Sequence, residues 1–236
     1  MADRQNLSRD GLVKPLWVDN EDEDESKKHR RRPVDSSTEP YPSEYEGHFD
    51  SILLSSNDIK ERTMELAKLV REDYKGTRPI LVCALKGAVP FYSELCRALS
   101  SLRQGFDTEF LRLSSYEGTQ STGNVQISGD LSWCKSDRHV IIVEDIVDTG
   151  TTLSHVVPHL QRHGNPLSVE TVALLDKRLA SSQPKLYQAK YVGFSIPDHF
   201  VIGFGLDYNE LYRDLQAIYT ISQKGIDCDS SKLQFS

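Results

Sequence analysis

The chain after residue 50 carries regular hydrophobic patterns. Apolar residues recur near a 3.6-residue period from Ile59 to Val70, which predicts an amphipathic helix. Asn57 or Asp58 can cap its start, and Gly76 offers a stop after its last turn. We therefore expect a helix at the beginning of the patterned region.

Later apolar runs predict strands with helices between them. Helical spacing returns at residues 91–102 and 152–163. Short apolar runs indicate strands at residues 80–85, 106–113, 125–127, 140–143, 169–175, 191–194, 200–204 and 218–221. Strands that are apolar on both faces and alternate with helices are typical of an α/β fold with a mostly parallel sheet.

The two ends of the chain lack this pattern. The first 49 residues hold an acidic block at 21–25 and a basic block at 27–32. Such sequence has too little apolar area to offset the entropy cost of ordering, so we expect a flexible charged extension over residues 1–49, a domain over 50–225 and a tail over 226–236. The basic block fits a nuclear-import or polyanion-binding patch or a solvated arm, and the neighbouring acids favour the arm.

Composition narrows the class of protein. The 236 residues are 38% hydrophobic and 27% charged, which suits a soluble protein with a sizeable core. No apolar run approaches the roughly 18 residues of a membrane span, and the N-terminus lacks the apolar stretch of a secretory signal. We therefore expect no membrane contact. The cysteines show no paired spacing, which suits a reducing compartment, and we expect a cytoplasmic location: Cys83, Cys96, Cys134 and Cys228. A net charge of -7 argues against a stable nucleic-acid partner.

The most informative stretch is VIIVEDIVDTGTTL, residues 140–153. An apolar strand ends in Glu144 and Asp145, and Asp148 precedes a glycine and threonines at a predicted helix start. Free backbone N–H groups, the helix dipole and threonine hydroxyls suit a phosphate there. The carboxylates suit ribose hydroxyls and a magnesium-bound sugar, so the stretch predicts a cradle for a 5-phosphorylated ribose.

A structural interpretation competes with this one. Asp148 or Thr149 can simply cap the helix, with Glu144 and Asp145 as solvated acids. Three carboxylates beside an anion cradle repel one another unless a cation or sugar uses them, which favours ligand binding. The GK[ST] ending of a Walker A loop and the dinucleotide fingerprint are both absent.

EDIVDTGTT resembles the phosphoribosyl-diphosphate (PRPP) signature of type I phosphoribosyltransferases. Over residues 50–222 the chain is similar to the hypoxanthine-guanine phosphoribosyltransferase family, whose motifs occur in family order: LKG at 85–87, SSYEGTQSTG at 114–123, EDIVDTGTT at 144–152, DKR at 176–178 and GFSIPDHFVIGFGLDYNELYRDL at 193–215. The resemblance implies a mostly parallel sheet flanked by helices, with a small hood built from both chain ends. It also implies a homodimer or homotetramer.

The resemblance implies roles for the PRPP site. Glu144 and Asp145 would bind the ribose hydroxyls with Mg2+, and Asp207 would help to hold the metal. The 5-phosphate would lie on Thr149, Gly150, Thr151 and Thr152. Pyrophosphate would meet Arg213 and the amides of Lys86 and Gly87, after a cis peptide between Leu85 and Lys86. Ser115 and Tyr116 would lie on a loop that closes over the site.

The resemblance also implies a purine site for a 6-oxopurine. Asp148 would be the general base at purine N7, Lys177 would donate to the 6-oxo group, Phe200 would stack on the ring, and Val201 and Asp207 would complete the purine site. A lysine beside a 6-oxo acceptor gains a charge-assisted hydrogen bond, whereas a 6-amino group would meet it donor to donor. Hypoxanthine and guanine are therefore expected as substrates, adenine is not, and xanthine stays open.

Several positions depart from the common family pattern. Ser114 and Thr151 stand where lysine is common, His199 replaces a frequent lysine, and Asp176 precedes Lys177 where an apolar residue is usual. Asp176 could compete with substrate for Lys177. On the predicted helix after the motif, His155, His159 and His163 are spaced for a metal, but Pro158 and the lack of a carboxylate favour a surface or subunit-facing role.

Three functions follow from these residues. The leading one is a purine salvage enzyme that makes IMP and GMP from PRPP. The alternative is a non-catalytic PRPP- or nucleotide-sensing relative, and a weaker third is a phosphoribosyltransferase for another base. Asp148, Lys177, Arg213 and the Ser115–Tyr116 loop favour the enzyme, because a sensor has no chemical need for a base or a closing loop.

Overall fold

The computed structural model describes residues 12–13, 15–18, 31–115, 125–229, 231 and 233. A central sheet has the strand order β1-β8-β7-β6-β3-β4-β5. All neighbouring strands in it run parallel except β4 and β5, which are antiparallel. The strands are β1 (Leu16–Trp17), β3 (Ile80–Leu85), β4 (Asp107–Ser115), β5 (Val125–Ser128), β6 (His139–Val147), β7 (Ser168–Lys177) and β8 (Tyr191–Ile196).

Helices cover both faces of this sheet. Helices α1 (Ser56–Asp73) and α2 (Val89–Ser101) share one buried cluster with the sheet, which includes Leu66 and Phe91. Helix α3 (Thr151–Gly164) packs Val156 and Leu160 into a second cluster with Val140 and Ile142 of β6. The predicted α/β fold with a mostly parallel sheet is confirmed.

A second, three-stranded antiparallel sheet forms the hood. Its order is β2-β10-β9, from β2 (Phe49–Leu54), β10 (Ile218–Ile221) and β9 (Val201–Ile202). Phe49 stacks on Tyr219 with ring centroids 4.4 Å apart. Strands from both ends of the domain therefore build one separate aromatic core, and a short helix, α4 (Gln223–Ile226), follows.

The start of α1 differs from the prediction. Ser55 is the N-cap, and its side chain accepts a hydrogen bond from the Asp58 amide while Asp58 bonds back to the Ser55 amide. Asp58 is thus the third residue of the helix and the distal member of a capping box, not the cap. Asn57 lies one residue inside the helix, so neither predicted cap is the cap.

Part of the segment predicted as a flexible extension is packed into the fold. Leu16 and Trp17 form β1 beside β8, Val18 is fully buried, and a short 3-10 helix at Ser43–Tyr45 buries Tyr45 in the hood core. The prediction of flexibility is wrong at these positions. Its error has a physical reason: a few apolar side chains suffice when an existing sheet edge supplies hydrogen bonds and covered area. The boundaries at 50 and 225 stay a prediction.

Within the part of the chain that is described, no helix combines the length and the apolar composition needed to cross a bilayer.

Candidate active site

The predicted phosphate cradle lies where β6 gives way to α3. A pocket opens at this junction, lined from Glu144 at the strand end to Leu153 in the first helical turn. Gly150 is the N-cap and has no side chain to bond the first amides, and the Thr149 and Thr151 hydroxyl oxygens lie 2.8 Å apart. The first turn of a helix leaves backbone N–H groups without intrahelical partners, so the pocket is suited to an anion.

Glycine is required at position 150 for two reasons. Its φ is +78°, in the left-handed region that disfavours other residues. A Cβ there would also lie 2.7 Å from the amide nitrogen of Tyr187. The neighbouring Leu186 amide donates to the Thr149 carbonyl at 2.8 Å, so the segment before β8 supports the loop from outside.

Glu144 and Asp145 form a close acidic pair at the floor of the site. Glu144 is buried, and burial together with the neighbouring Asp145 raises its pKa well above the ordinary glutamate value. Burial also raises the pKa of Asp145, whose Oδ1 accepts a hydrogen bond from the Ile146 amide at 2.9 Å. A buried carboxylate beside a partly buried one gains most from a ligand that brings a positive charge or hydroxyl donors.

The loop after β3 approaches this acidic pair. The peptide bond between Leu85 and Lys86 is cis, as the resemblance implied. Gly87 faces Asp145 so closely that a Cβ at Gly87 would overlap the Asp145 carboxylate. Gly205 in turn packs on the Gly87 carbonyl. The two loops and the strand end therefore meet without side chains between them.

The Lys86 and Arg213 side chains share one carboxylate, that of Glu210. Lys86 Nζ lies 2.8 Å from Glu210 Oε2, and Arg213 Nη2 lies 3.3 Å from Glu210 Oε1. The same Arg213 group is 2.7 Å from Asp207, and its other terminal nitrogen donates to the Gly205 carbonyl. The structure thus brings Lys86, Asp207 and Arg213 together at one edge of the site.

Lys177 and Asp148 lie next to each other at the ends of β7 and β6. Lys177 Nζ is 3.4 Å from Asp148 Oδ2 and 3.3 Å from Asp198 Oδ1. The Lys177 side chain is only 13% exposed, whereas the two carboxylates are about half exposed. A donor for a carbonyl and a proton acceptor therefore sit side by side at the rim of the pocket.

Asp176 does not contact Lys177 through its side chain. Its Oδ1 lies 2.6 Å from Lys185 Nζ. Burial raises the pKa of Asp176, and Lys185 opposes that rise. The expected competition of Asp176 for Lys177 is not observed, because a second lysine occupies the carboxylate.

Phe200 is an exposed aromatic side chain immediately before β9. It is 51% exposed and meets Tyr208 edge-on, with ring centroids 5.3 Å apart. Val201 is buried in the hood sheet beside Thr220. An exposed ring held by a second aromatic has a free face, which a core phenylalanine lacks.

The closing loop is only partly described. Ser115 ends β4, and its backbone pairs with Val125 of β5. Tyr116 lies outside the described residues.

Sequence reasoning missed three residues of the site: Lys185, Asp198 and Glu210. Asp198 and Glu210 stand inside the quoted 193–215 motif, so their position was available, but their partners are fixed only by folding. Lys185 lies in a stretch without any motif, and no local signal points to it.

The carboxylate oxygens of the predicted magnesium site are ligands of the type that Mg2+ prefers, but the described side chains do not by themselves form a complete set of metal ligands. Among the described residues, no group of three histidine, cysteine, aspartate or glutamate side chains is arranged to hold a metal, which also covers His155, His159 and His163. Mg2+ commonly takes one or two carboxylates and completes its shell with phosphates and water. The adjacent carboxylates of Glu144, which is buried, and Asp145, which is partly buried, fit that use.

Comparison with known proteins agrees with this geometry. Residues 51–209 match the phosphoribosyl transferase domain model, and the chain belongs to that family. Curated relatives are hypoxanthine-guanine phosphoribosyltransferases. The enzyme from Staphylococcus epidermidis is 42% identical, and the match covers 72% of this chain and 93% of that protein. The human enzyme is 37% identical, and the match covers 78% of this chain and 86% of that protein. A solved Trypanosoma cruzi hypoxanthine phosphoribosyltransferase in complex with the product IMP is 38% identical, with a TM-score of 0.68, and the match covers 75% of this chain and 97% of that one.

These relatives narrow the class to the hypoxanthine-guanine branch of the family. The chain spans most of their length, and the predicted family, fold and enzyme class are confirmed. The alternative of a non-catalytic sensor is not favoured.

Proposed function

We propose that this protein transfers the 5-phosphoribosyl group of PRPP to hypoxanthine or guanine, giving IMP or GMP and pyrophosphate in purine salvage. The bond from the ribose C1' to the diphosphate oxygen breaks, and a bond from C1' to a purine nitrogen forms. One observation carries the proposal: Lys177 lies 3.4 Å from Asp148 at the rim of an anion pocket. That pair supplies both a donor for a 6-oxo group and a base for the departing proton.

Asp148 acts as general base toward purine N7. Its carboxylate is about half exposed, so the proton that it accepts has a path to solvent. Lys177 donates to the 6-oxo group from a mostly buried position, where a charge-assisted hydrogen bond is stronger than in water. An adenine 6-amino group would leave that ammonium without an acceptor, so adenine is excluded.

Phe200 stacks on the purine, and Val201 contributes backbone contacts to its edge. The Phe200 ring is exposed while Tyr208 holds it edge-on, which supports a platform and not a core role. Asp207 lies at the same edge of the site and is held by Arg213 at 2.7 Å.

The phosphates of PRPP occupy two places. The 5-phosphate lies on the amides and hydroxyls of residues 149–152, at the N-terminus of α3. The pyrophosphate meets the Lys86 and Gly87 amides and the Arg213 guanidinium, which stabilises the departing charge. Glu210 gives up Arg213 and the Lys86 side chain when pyrophosphate arrives, because the diphosphate carries more negative charge than one carboxylate.

Mg2+ is the expected cofactor, held by Glu144 and Asp145 with the help of Asp207. When bound it neutralises part of the diphosphate charge. Glu144 and Asp145 also accept hydrogen bonds from the ribose hydroxyls and so orient C1' toward the purine. The loop with Ser115 and Tyr116 excludes water that would otherwise hydrolyse PRPP.

We also propose a cytoplasmic homodimer or homotetramer. Cysteines that are free among the described residues suit a reducing compartment. Val89 and Phe110 are exposed apolar side chains, 42% and 50% exposed, and suit burial against a second copy. Light scattering of the purified protein measures the assembly, and a monomer at micromolar concentration would contradict this part.

A spectrophotometric assay tests the proposed function. The protein is mixed with PRPP, Mg2+ and one of guanine, hypoxanthine, xanthine, adenine or uracil. We expect turnover of guanine and hypoxanthine, and a loss of about 10²- to 10⁴-fold in kcat for Asp148→Asn. Asp214→Asn is the control and should retain activity, because the Asp214 carboxylate accepts a hydrogen bond from the Tyr45 hydroxyl and does not line the pocket. Binding of PRPP without turnover of any base would instead favour the sensor.

A further inference from the structure

Lys185 joins the ends of two neighbouring strands that carry the proposed purine site. Its ammonium donates to the Lys177 carbonyl at 2.9 Å and to the Val147 carbonyl at 3.5 Å. Lys177 closes β7, and Val147 closes β6 directly before Asp148. One side chain therefore holds the backbone at both members of the Lys177–Asp148 pair.

Asp176 keeps that ammonium in place. The two side chains are 24% and 19% exposed, so water screens their 2.6 Å contact only weakly. Asp176 Oδ1 is buried and has no well-aligned hydrogen bond, so the contact is an ion pair. Removal of one partner from such a pair leaves an uncompensated buried charge, whereas removal of both is much better tolerated.

The ion pair and the Lys177 side chain lie on opposite faces of the sheet. Asp176 is in register with Val147, whose side chain packs into the core cluster on the α3 side. Successive residues of a strand point to opposite faces, so Lys177 points away from Asp176. Lys185 therefore reaches Lys177 only through the backbone and does not occupy its ammonium.

The same segment supports the phosphate loop. The residue after Lys185, Leu186, donates its amide to the Thr149 carbonyl at 2.8 Å. Tyr187 packs its backbone on Gly150 and shares a hydrogen bond of 3.0 Å with Thr171 of β7. Leu186 and Tyr187 are thus anchored at Thr149, Gly150 and Thr171 without help from Lys185, whose ammonium holds the carbonyls of Val147 and Lys177.

From these contacts we propose that Lys185, held by Asp176, is a positioning residue that fixes Lys177 relative to Asp148 for recognition of the 6-oxopurine. The inference rests on the proposed function, since it assigns the purine role to Lys177. Lys185 touches no substrate atom in this scheme. A displacement of Lys177 by about 1 Å is enough to cost a large factor in binding or rate.

Calorimetry of two ligands on the full chain tests this proposal. IMP reports on the purine and phosphate positions together, and PRPP with Mg2+ reports on the phosphate positions without a base. For Lys185→Met we expect IMP binding to weaken about tenfold or more, the scale of one lost charge-assisted hydrogen bond, while PRPP binding changes less than about threefold. Weakening of both ligands alike, or of neither, would overturn the proposal.

Lys190→Met is the matched control. Lys190 also forms a partly buried ion pair, 3.0 Å from Asp73, with side chains 26% and 42% exposed, but it lies at the far end of β8 from the site. We expect a lower melting temperature and unchanged binding of both ligands. A selective loss of IMP binding in this variant would show that any lost ion pair near β8 has the same effect, and would overturn the assignment.

The double variant Asp176→Val with Lys185→Met separates positioning from stability. Removal of both charges should return the melting temperature close to that of the unchanged protein, while IMP binding stays at least about fivefold weaker. Recovery of both together would mean that only the unpaired carboxylate mattered. Turnover by the unchanged protein is measured in parallel. A lack of turnover would contradict the proposed enzyme activity, whereas the positioning proposal is judged only by the difference between IMP binding and PRPP binding.

Discussion

Asp145 lies against Gly87 so closely that no side chain fits between them. The contact joins the loop after β3 to the end of β6, two segments that are 58 positions apart in numbering and adjacent in the sheet through β3 and β6. Any side chain at position 87 would have to displace the Asp145 carboxylate. Glycine at position 87 is therefore a requirement of the acidic pair and not only of its own loop.

Gly87→Ala should weaken PRPP binding selectively. A Cβ at position 87 has to push the Asp145 carboxylate away, and we expect KM for PRPP to rise about tenfold or more while the melting temperature changes little. Steady-state kinetics at saturating hypoxanthine measure the effect. Gly105→Ala is the control, because a Cβ there meets only the Arg78 side chain, at 3.6 Å, and should leave KM unchanged.

Phe200→Ala should weaken binding of the base with little cost in stability. The ring is 51% exposed, so its truncation removes little buried area. Stacking of a base on an aromatic is worth about 1–3 kcal/mol, so KM for hypoxanthine should rise about 5- to 100-fold. Leu167→Ala, at a side chain 61% exposed and away from the site, is the control. An unchanged KM for the base would exclude Phe200 as the platform.

His48 should make the fold less stable as the pH falls below 6.5. Burial and the nearby Lys224 lower the pKa of His48, which shares a hydrogen bond of 3.0 Å with the Tyr212 hydroxyl. As the pH falls through 6.5, the unfolded chain takes up a proton on this histidine before the folded chain does. Unfolding is therefore favoured over that range, and the melting temperature should decline.

Thermal melts from pH 7.5 to pH 5 on His48→Gln measure this contribution, with the pH values chosen to bracket roughly the ordinary histidine pKa. The decline should be shallower in the variant. His159→Gln, at an exposed position of α3, should keep the full decline. Equal slopes for all three proteins would show that His48 does not carry the effect.

Val18→Ala should destabilise the protein although it lies in the segment before residue 50. Val18 is fully buried, its amide donates to the Ser195 carbonyl at 2.9 Å, and its carbonyl accepts from Arg178 at 2.6 Å. We expect a loss of about 1–3 kcal/mol in the free energy of unfolding, measured by urea denaturation. Leu186→Ala, a 54% exposed side chain, provides the comparison for truncation at the surface. An unchanged free energy of unfolding in Val18→Ala would instead support the prediction that this segment is a flexible extension.

The interior elements were predictable because their signals are local. The runs at 80–85 and 218–221 coincide with β3 and β10 as found, since apolar runs of four to six residues are of strand length and too short for a typical helix. Strands β1 and β2 were missed because two to six residues at a sheet edge carry little periodicity, and neighbouring strands supply what the sequence lacks. Strand β9 lies within the predicted run at 200–204 but is shorter than that run. The cap of α1 was misassigned because Ser55, Asn57 and Asp58 are all capping residue types, and only the hydrogen bonds distinguish them.

The sequence by itself determined the family and the α/β class, and it predicts the phosphate loop at 144–152, because each motif and each apolar run consists of residues that are close together in the chain. Only the tertiary structure decided which charges meet: Lys177 with Asp148 and Asp198, Lys86 with Glu210, and Asp176 with Lys185. Charges attract one another according to distance and burial in space, and neither quantity is written in the spacing of residues along the chain.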